Sequence, residues 1–257
     1  VVDIDGAVDM ASTLAVGGVV TVSNGSNSAP SIAFASDTDT GIYRGGANTL
    51  AFSAGGTARF YSDASSYIAT LTAGTSNTAI GVNAGTNIAS GGNYNVVIGD
   101  ESGNDLTTGD HNVAIGYGAL DAEDTGSKSV AIGYQALTTQ NNDSDNYNVA
   151  IGYNSGAAIT TGVQNTLIGG LAGDANTAAD NNTAVGYNAL GANTTGDSNT
   201  VLGAFALDAN TTATANTAIG LSSLGANTTG ANNTAVGKDS LLANTTGAAN
   251  VAVGKGA

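Results

Sequence analysis

Few side chains in this 257-residue chain carry the chemistry that catalysis usually needs. The sequence has no cysteine, a single histidine, His111, and only two glutamates, Glu101 and Glu123. Disulfides and cysteine-ligated metal sites are therefore excluded. Histidine-assisted nucleophilic catalysis would depend on His111 alone, without a partner nucleophile. This histidine lies in the polar turn 109–112, which favours a structural or exposed role.

The carboxylates suggest two further kinds of site. The clusters Asp100-Glu101 and Asp121-x-Glu123-Asp124 could supply the acid and base of a glycan hydrolase. The run Asp37-x-Asp39-x-Gly41 begins like a calcium loop but lacks the distal bidentate glutamate. Because these carboxylates fall in variable turns, solvated acidic turns are the favoured interpretation. We therefore expect no enzymatic activity, no metal site and no cofactor.

Tyrosines and threonines recur at regular spacing and could act as arrays. One column of tyrosines comprises Tyr117, Tyr134, Tyr153 and Tyr187. Their rings could stack and face a sugar or a receptor, although a structural ladder is equally favoured. Threonine pairs fill repeated turns at Thr194, Thr211, Thr228 and Thr245. Such flat columns are typical of ice-binding solenoids, but Thr and Asn also cap turns, and we favour that role here.

The charge balance excludes other functions. Five Lys and Arg residues stand against 20 Asp and Glu residues, a formal net charge of −15. A nucleic-acid groove needs clustered cations, so no nucleic-acid partner is expected. No apolar run approaches the ~18 residues of a membrane-spanning helix, so no membrane insertion is expected either.

A repeat of 17 residues positions most of these side chains. The pattern Asn, Thr or Val, small apolar residue, Ile/Val/Leu, Gly occurs eleven times, as in 112–116 and 182–186, and Ser129 is the one substitute for Asn. Its β-favouring triplet predicts a short strand in each unit. A leucine four residues after the glycine, as at Leu120, predicts a second strand. Residues 76–257 are thus predicted to form a β-solenoid of about eleven coils.

The triplet also predicts which side chains point outward. Successive residues of a strand alternate between its faces, and Val113 and Ile115 are expected inside a narrow coil, with Ala114 outside. An outer ladder of small apolar residues would need another chain to cover it, and three copies around an axis would do so. This predicted interchain ladder comprises Ala79, Ala114, Ala131, Ala150, Ala184, Ala218, Ala235 and Ala252.

The unit Asn-x-Ala-Ile-Gly-x-x-Ala-Leu resembles the head repeats of trimeric autotransporter adhesins. That resemblance implies a left-handed parallel β-roll packed as a homotrimer. The longer Asn-Thr-Thr-Gly turn, as at 193–196, departs from those adhesins and resembles repeats of phage tail fibres and related bacterial surface proteins.

Residues 1–75 lack the repeat and predict a small β-rich, shaft-like region. A strand pair is expected within 13–22, and short strands at 31–35, 49–53 and 57–61. The run Asp37–Arg44, followed by 48–53 and 56–60, resembles a segment of phage tail-fibre proteins, which implies an intertwined β module. Arg44 and Arg59 lie here and are expected either exposed or paired with Asp37 or Asp39 of another chain.

These features predict a non-enzymatic structural segment of a phage tail fibre that attaches to a host surface. The expected partners are two further copies, a host-cell surface glycan or protein receptor, and neighbouring tail or fibre proteins of the virion. The main alternative is the head domain of a bacterial trimeric adhesin on the cell surface, which would bind host matrix or cells. A glycan-degrading tailspike and an ice-binding solenoid are more remote alternatives. The uncapped last coil predicts a longer chain, and the tail-fibre resemblance implies a self-cleaving C-terminal chaperone.

Overall fold

The structure, a computed structural model, describes residues 21–34, 36–46, 49–63, 66–69 and 73–257. The chain divides into two compact units, Val1–Tyr67 and Ile68–Ala257. Every helix or strand assigned in the described residues is a β-strand, which confirms the all-β prediction for them. The strand pair predicted within 13–22 lies almost entirely outside the described residues.

The N-terminal sheet has five strands, which follow chain order. Strands β1 to β4 pair in antiparallel fashion. Three predicted strands are confirmed, as β1, β3 and β4, whereas β2 and β5 were missed. Because β2 is rich in Asp, Thr and Gly, its sequence is typical of a turn, and pairing on both sides overrides that preference. The strands are β1 (Ile32–Phe34), β2 (Asp37–Gly46), β3 (Thr49–Ala54), β4 (Thr57–Asp63) and β5 (Ser66–Ala69).

The second unit is a parallel β-solenoid with one three-residue strand in each coil. Each strand pairs with the next without a shift in register, so Val113 lies beside Val130 and Ile115 beside Ile132. The predicted repeat strands are therefore confirmed at all eleven positions. They are β6 (Thr78–Ile80), β7 (Val96–Ile98), β8 (Val113–Ile115), β9 (Val130–Ile132), β10 (Val149–Ile151), β11 (Thr166–Ile168), β12 (Thr183–Val185), β13 (Thr200–Leu202), β14 (Thr217–Ile219), β15 (Thr234–Val236) and β16 (Val251–Val253).

The second strand predicted in each coil is wrong. Leu120 and Leu137 have φ angles of 54° and 51°, in the left-handed region that strands do not use. Their amides nevertheless donate to the following coil, Leu120 to the Ala136 carbonyl at 3.0 Å and Leu137 to that of Ser155 at 3.1 Å. The chain therefore turns at these leucines while hydrogen bonding continues along the solenoid axis.

The predicted faces of the strand triplet are reversed. Ala114 has no exposed surface and belongs to the core of the single chain, whereas Val113 and Ile115 lie partly exposed on the other face. The predicted interchain ladder is therefore wrong. Ala79 packs against the core, Ala252 is partly buried, and the other members are fully buried within one chain: Ala114, Ala131, Ala150, Ala184, Ala218 and Ala235.

The leading asparagines explain why the middle residue points inward. Asn165 Oδ1 accepts a hydrogen bond from the Asn182 amide at 3.0 Å, and its Nδ2 donates to the Ala179 carbonyl at 2.8 Å. Both asparagines are fully buried, because these bonds hold the side chains inside the coil. Strand alternation then places the residue two positions later, such as Ala184 after Asn182, on the same inner side.

The core of the solenoid combines the middle strand residue with the residue four positions after the closing glycine. Five coils have Ala in the strand and Leu in the turn, as with Ala184 and Leu190. The preceding coil exchanges the sizes, with Leu167 in the strand and Gly173 in the turn. A Cβ on Gly173 would lie 2.9 Å from Leu167 Cδ2, so the leucine fills the space beside the glycine. The interior is therefore packed without a gap at this exchange.

Candidate functional site

The outer sheet face consists of the first and third residues of strands β6–β16. The first column contains Val or Thr and the third Ile, Val or Leu. Neighbouring coils partly cover these side chains, but Leu202 is 50% exposed. At about 4.8 Å per strand the two columns extend over about 50 Å. The structure thus presents a long, flat surface of mainly β-branched side chains.

The predicted tyrosine column forms an exposed stack. The Tyr117 and Tyr134 ring centroids lie 5.4 Å apart, and those of Tyr134 and Tyr153 lie 5.2 Å apart, with nearly parallel planes. Tyr187 occupies the same position two coils later and meets Phe205 edge to face at 5.4 Å. All four tyrosines are between 43% and 57% exposed. The predicted stacking is confirmed for the first three, and the rings face solvent within the single chain.

A second aromatic column lies immediately before the leading asparagines. His111 stacks on Tyr94 with ring centroids 5.0 Å apart. Lys128 pairs with Asp145, and its ammonium lies 5.1 Å from the centre of the Tyr147 ring. Sequence reasoning missed this column, although the 17-residue steps from Tyr94 to His111 and to Lys128 would have revealed it. His111 thus has a ring-stacking role on the surface of the solenoid.

One of the carboxylates considered for hydrolysis, Glu123, is buried. Its Oε1 accepts from the Gly126 amide at 2.8 Å, and its Oε2 accepts from Gln140 Nε2 at 2.9 Å and Asn146 Nδ2 at 3.0 Å. The side chain has no exposed surface. Glu123 therefore caps a turn from inside, and no glycan can reach it in this conformation.

Asp100 and Glu101 each accept a hydrogen bond from the preceding coil. Asp100 Oδ1 accepts from the Val82 amide at 3.1 Å, and Glu101 Oε1 accepts from Asn83 Nδ2 at 2.9 Å. These bonds tie two successive coils together. In the described parts of the chain, no group of three or more His, Cys, Asp or Glu side chains is arranged to hold a metal ion.

In the first unit, the aspartates of the candidate calcium loop interact with each other. A mutual hydrogen bond lowers the pKa of Asp37 and raises that of Asp39. Arg44 donates from Nη1 to Asn24 Oδ1 at 3.4 Å. Its partner in this contact within the chain is therefore a neutral side-chain amide and not a carboxylate. The predicted pairing of the arginines with another chain stays a prediction.

The turn threonines act as links between coils. Thr194 Oγ1 donates to the Thr211 carbonyl at 3.0 Å, and Thr211 Oγ1 donates to that of Thr228 at 3.2 Å. Thr228 continues the pattern by donating to the Thr245 carbonyl at 3.0 Å. These bonds confirm the turn-capping interpretation, since the first hydroxyl of each pair is directed to the backbone.

The solenoid should become more stable on mild acidification. Burial is the main cause that raises the pKa of Glu123 and of three aspartates, Asp121, Asp174 and Asp208. A raised folded-state pKa means that the folded chain binds more protons than the unfolded chain. The free energy of unfolding therefore falls as the pH rises from the unfolded-state pKa of these carboxyls through their folded-state pKa. Thermal unfolding followed by far-UV circular dichroism should show a higher Tm at about pH 5 than at about pH 7.

Glu123→Asn provides the control for this pH dependence. Asparagine occupies the same column at Asn193, where it caps the Gly196 amide at 3.1 Å without a charge. The variant should therefore show a smaller rise in Tm on acidification. At lower pH the gain should reverse, because Lys128 lowers the pKa of Asp145 and that contribution is lost as the carboxylate protonates. A Tm that falls steadily from about pH 7 to about pH 5 would contradict the assignment.

Comparison with protein-family models, curated proteins and solved structures gives no match. The described residues contain no helix long and apolar enough to cross a membrane.

Proposed function

We propose that this chain is a non-enzymatic segment of a homotrimeric fibre that attaches to a host surface, of the kind found in phage tail fibres. The outer sheet face is the observation that carries the proposal. At about 6.6 Å between the first and third residues of a strand and about 50 Å of length, its two columns cover roughly 330 Å², and six of the eleven first-column residues are threonines. This area is within the range of the largest patches that monomers leave exposed, about 300–600 Å², and such patches are often binding surfaces. Three copies would cover it by packing these columns around a common axis.

The first unit also exposes apolar side chains. Ile32, Phe34 and Leu50 are 55%, 65% and 51% exposed, whereas Ala51 and Ser53 are buried at 1% and 5%. A sheet that packs without a partner chain would bury its large apolar residues and expose its serine. Further copies of the chain are the occupant that we propose for this face, as in an intertwined β module.

The proposed mechanism is presentation by a rigid rod. Continuous hydrogen bonding between coils gives the solenoid a defined length, and three copies would present every exposed side chain three times. Multivalent display raises the strength of attachment without new contacts. The run Asp37–Arg44 supports a tail fibre over the alternative of a bacterial adhesin, through its resemblance to phage segments.

The trimer can be tested with a charge on the outer sheet face. Ile132 lies partly exposed in the middle of this face, so Ile132→Glu would bury an unpaired charge between copies, at about 3–5 kcal/mol. Analytical ultracentrifugation should give three times the 24.7 kDa of one chain for the native protein and a single-chain mass for the variant. Far-UV circular dichroism should remain unchanged, because the site lies outside the single-chain core.

Thr212→Glu is the matched control, since Thr212 is exposed in a turn away from the strands. This variant should remain trimeric. A native mass of one chain, or an Ile132→Glu protein that stays trimeric, would contradict the proposed interface. Cryo-electron microscopy of the parent particle separates the two origins, because a tail fibre lies on a virion and an adhesin on a cell surface.

A further inference from the structure

The tyrosine stack is interrupted at one coil. Tyr117, Tyr134 and Tyr153 occupy successive coils, but Gly170 holds the next position of the column and Tyr187 the one after it. Rings inside a stack cover each other's faces, and Tyr153, at the interrupted end, is the most exposed of the four at 57%. The next coil has Gly170 at this position of the column, so it offers no ring to the face of Tyr153 that would otherwise be stacked.

In the uninterrupted part of the column, one ring fills the space between two tyrosines that lie two coils apart. The Tyr117 and Tyr153 rings are two coils apart, roughly 10 Å from the two successive centroid distances, and the Tyr134 ring fills the space between them. Atoms in contact lie about 3.5–4.0 Å apart, so such a space accepts one ring with both faces in contact. Between Tyr153 and Tyr187 this place has no ring of the chain's own column.

The walls and floor of this space have defined chemistry. Tyr187 Cδ2 lies 3.6 Å from the point that a Cβ on Gly170 would occupy, so this ring borders the space, and Phe205 supports it edge-on. In the first coil the amide at the same position, that of Val82, donates along the axis to Asp100 of the next coil at 3.1 Å. If the Gly170 N–H points along the axis in the same way, it provides a hydrogen-bond donor at the floor of the space between Tyr153 and Tyr187.

We propose that Tyr153, Gly170 and Tyr187 form a slot that binds one pyranose ring of a neutral surface glycan. A pyranose has apolar C–H faces and a rim of hydroxyl groups, which suits two tyrosine walls and a backbone donor at the floor. The net charge of −15 disfavours acidic sugars. The inference rests on the proposed attachment function and names the class of ligand that the rod would present a site for.

Saturation-transfer NMR with three separate probes tests the slot: the methyl glycosides of glucose, galactose and N-acetylglucosamine. At least one probe should receive saturation at its ring C–H protons. Gly170→Tyr should reduce this transfer at least tenfold by completing the stack. A Cβ at Gly170 makes only ordinary contacts, none closer than 3.6 Å, so the variant should keep its circular dichroism spectrum. Leu221→Tyr, which adds a tyrosine to the same column two coils beyond Tyr187, should leave the transfer unchanged.

Tyr134→Gly provides a gain-of-function test. Removing this ring should create a second slot between Tyr117 and Tyr153 and raise the number of sites per chain from one to two. The slot would be overturned if the native protein and Gly170→Tyr transferred saturation equally to the glycosides, or if the native protein transferred none to any of the three. Binding of N-acetyltyrosinamide in place of the glycosides would also overturn it, in favour of an aromatic peptide. None of these results affects the mass or the location of the fibre, so the two proposals fail separately.

Discussion

Replacing Leu167 by Ala and Gly173 by Leu together should destabilise the solenoid by less than the sum of the two single changes. Some loss remains, because Leu167 also fills the space beside Gly156, whose added Cβ would lie 3.0 Å from Leu167 Cδ1. Leu167→Ala removes a fully buried side chain and should cost about 2–5 kcal/mol. Gly173→Leu places a Cβ 2.9 Å from Leu167 Cδ2 and 3.1 Å from Cδ1, and this overpacking should cost about 1–3 kcal/mol. The double variant reproduces the Ala and Leu combination found at Ala184 and Leu190.

The left-handed backbone at this turn does not prevent the exchange. Gly173 has a φ of 55°, and Leu190 holds the equivalent position at 60°. Urea unfolding should therefore give a coupling energy of about 2 kcal/mol or more in favour of the double variant. Leu167→Ala combined with Gly225→Ala, three coils beyond Gly173, should instead be additive. A double variant as unstable as the sum of its single changes would contradict the packing described here.

Gly186→Ala should destabilise the solenoid by about 3 kcal/mol or more. Gly186 closes its coil with a φ of 140°, which side-chain-bearing residues rarely adopt. An added Cβ would also lie 2.6 Å from both the carbonyl carbon and the oxygen of Gly203. These are backbone atoms of the next coil, so relief would require the two coils to separate and their hydrogen bonds to lengthen.

Gly225→Ala is the control for this prediction. Gly225 lies outside the left-handed region, and its Cβ would meet the end of the Leu242 side chain at 3.1 Å, which can move, and the Ser222 carbonyl oxygen at 3.3 Å, which requires a shift of a few tenths of an ångström. The change in unfolding free energy should stay below about 1 kcal/mol. Chemical denaturation of both variants provides the measurement, and a Gly186→Ala protein as stable as the control would show that the coils tolerate a larger spacing.

The candidate site was predictable from sequence where it follows the repeat. Tyr117, Tyr134 and Tyr153 each follow the closing glycine of a coil, so the repeat alone places them in one column and predicts their stacking. The burial of Glu123 could not, because it depends on Gln140 and Asn146 from the following coil, whose amides hold the carboxylate inside. Sequence distance does not reveal such contacts between side chains of unlike type.

The sequence by itself determined the all-β class, the period of about 17 residues and the positions of the eleven repeat strands, because each β-favouring triplet lies between a leading Asn or Ser and a closing Gly. It also determined that the first and third residues of each triplet share a face, because strand alternation is local geometry. Only the tertiary structure decided which face is inside. That choice depends on hydrogen bonds between asparagines of successive coils, such as Asn165 and Asn182, and on the space that leucines in left-handed turns leave for alanine. Both are contacts between coils, which the alternation within one strand does not contain.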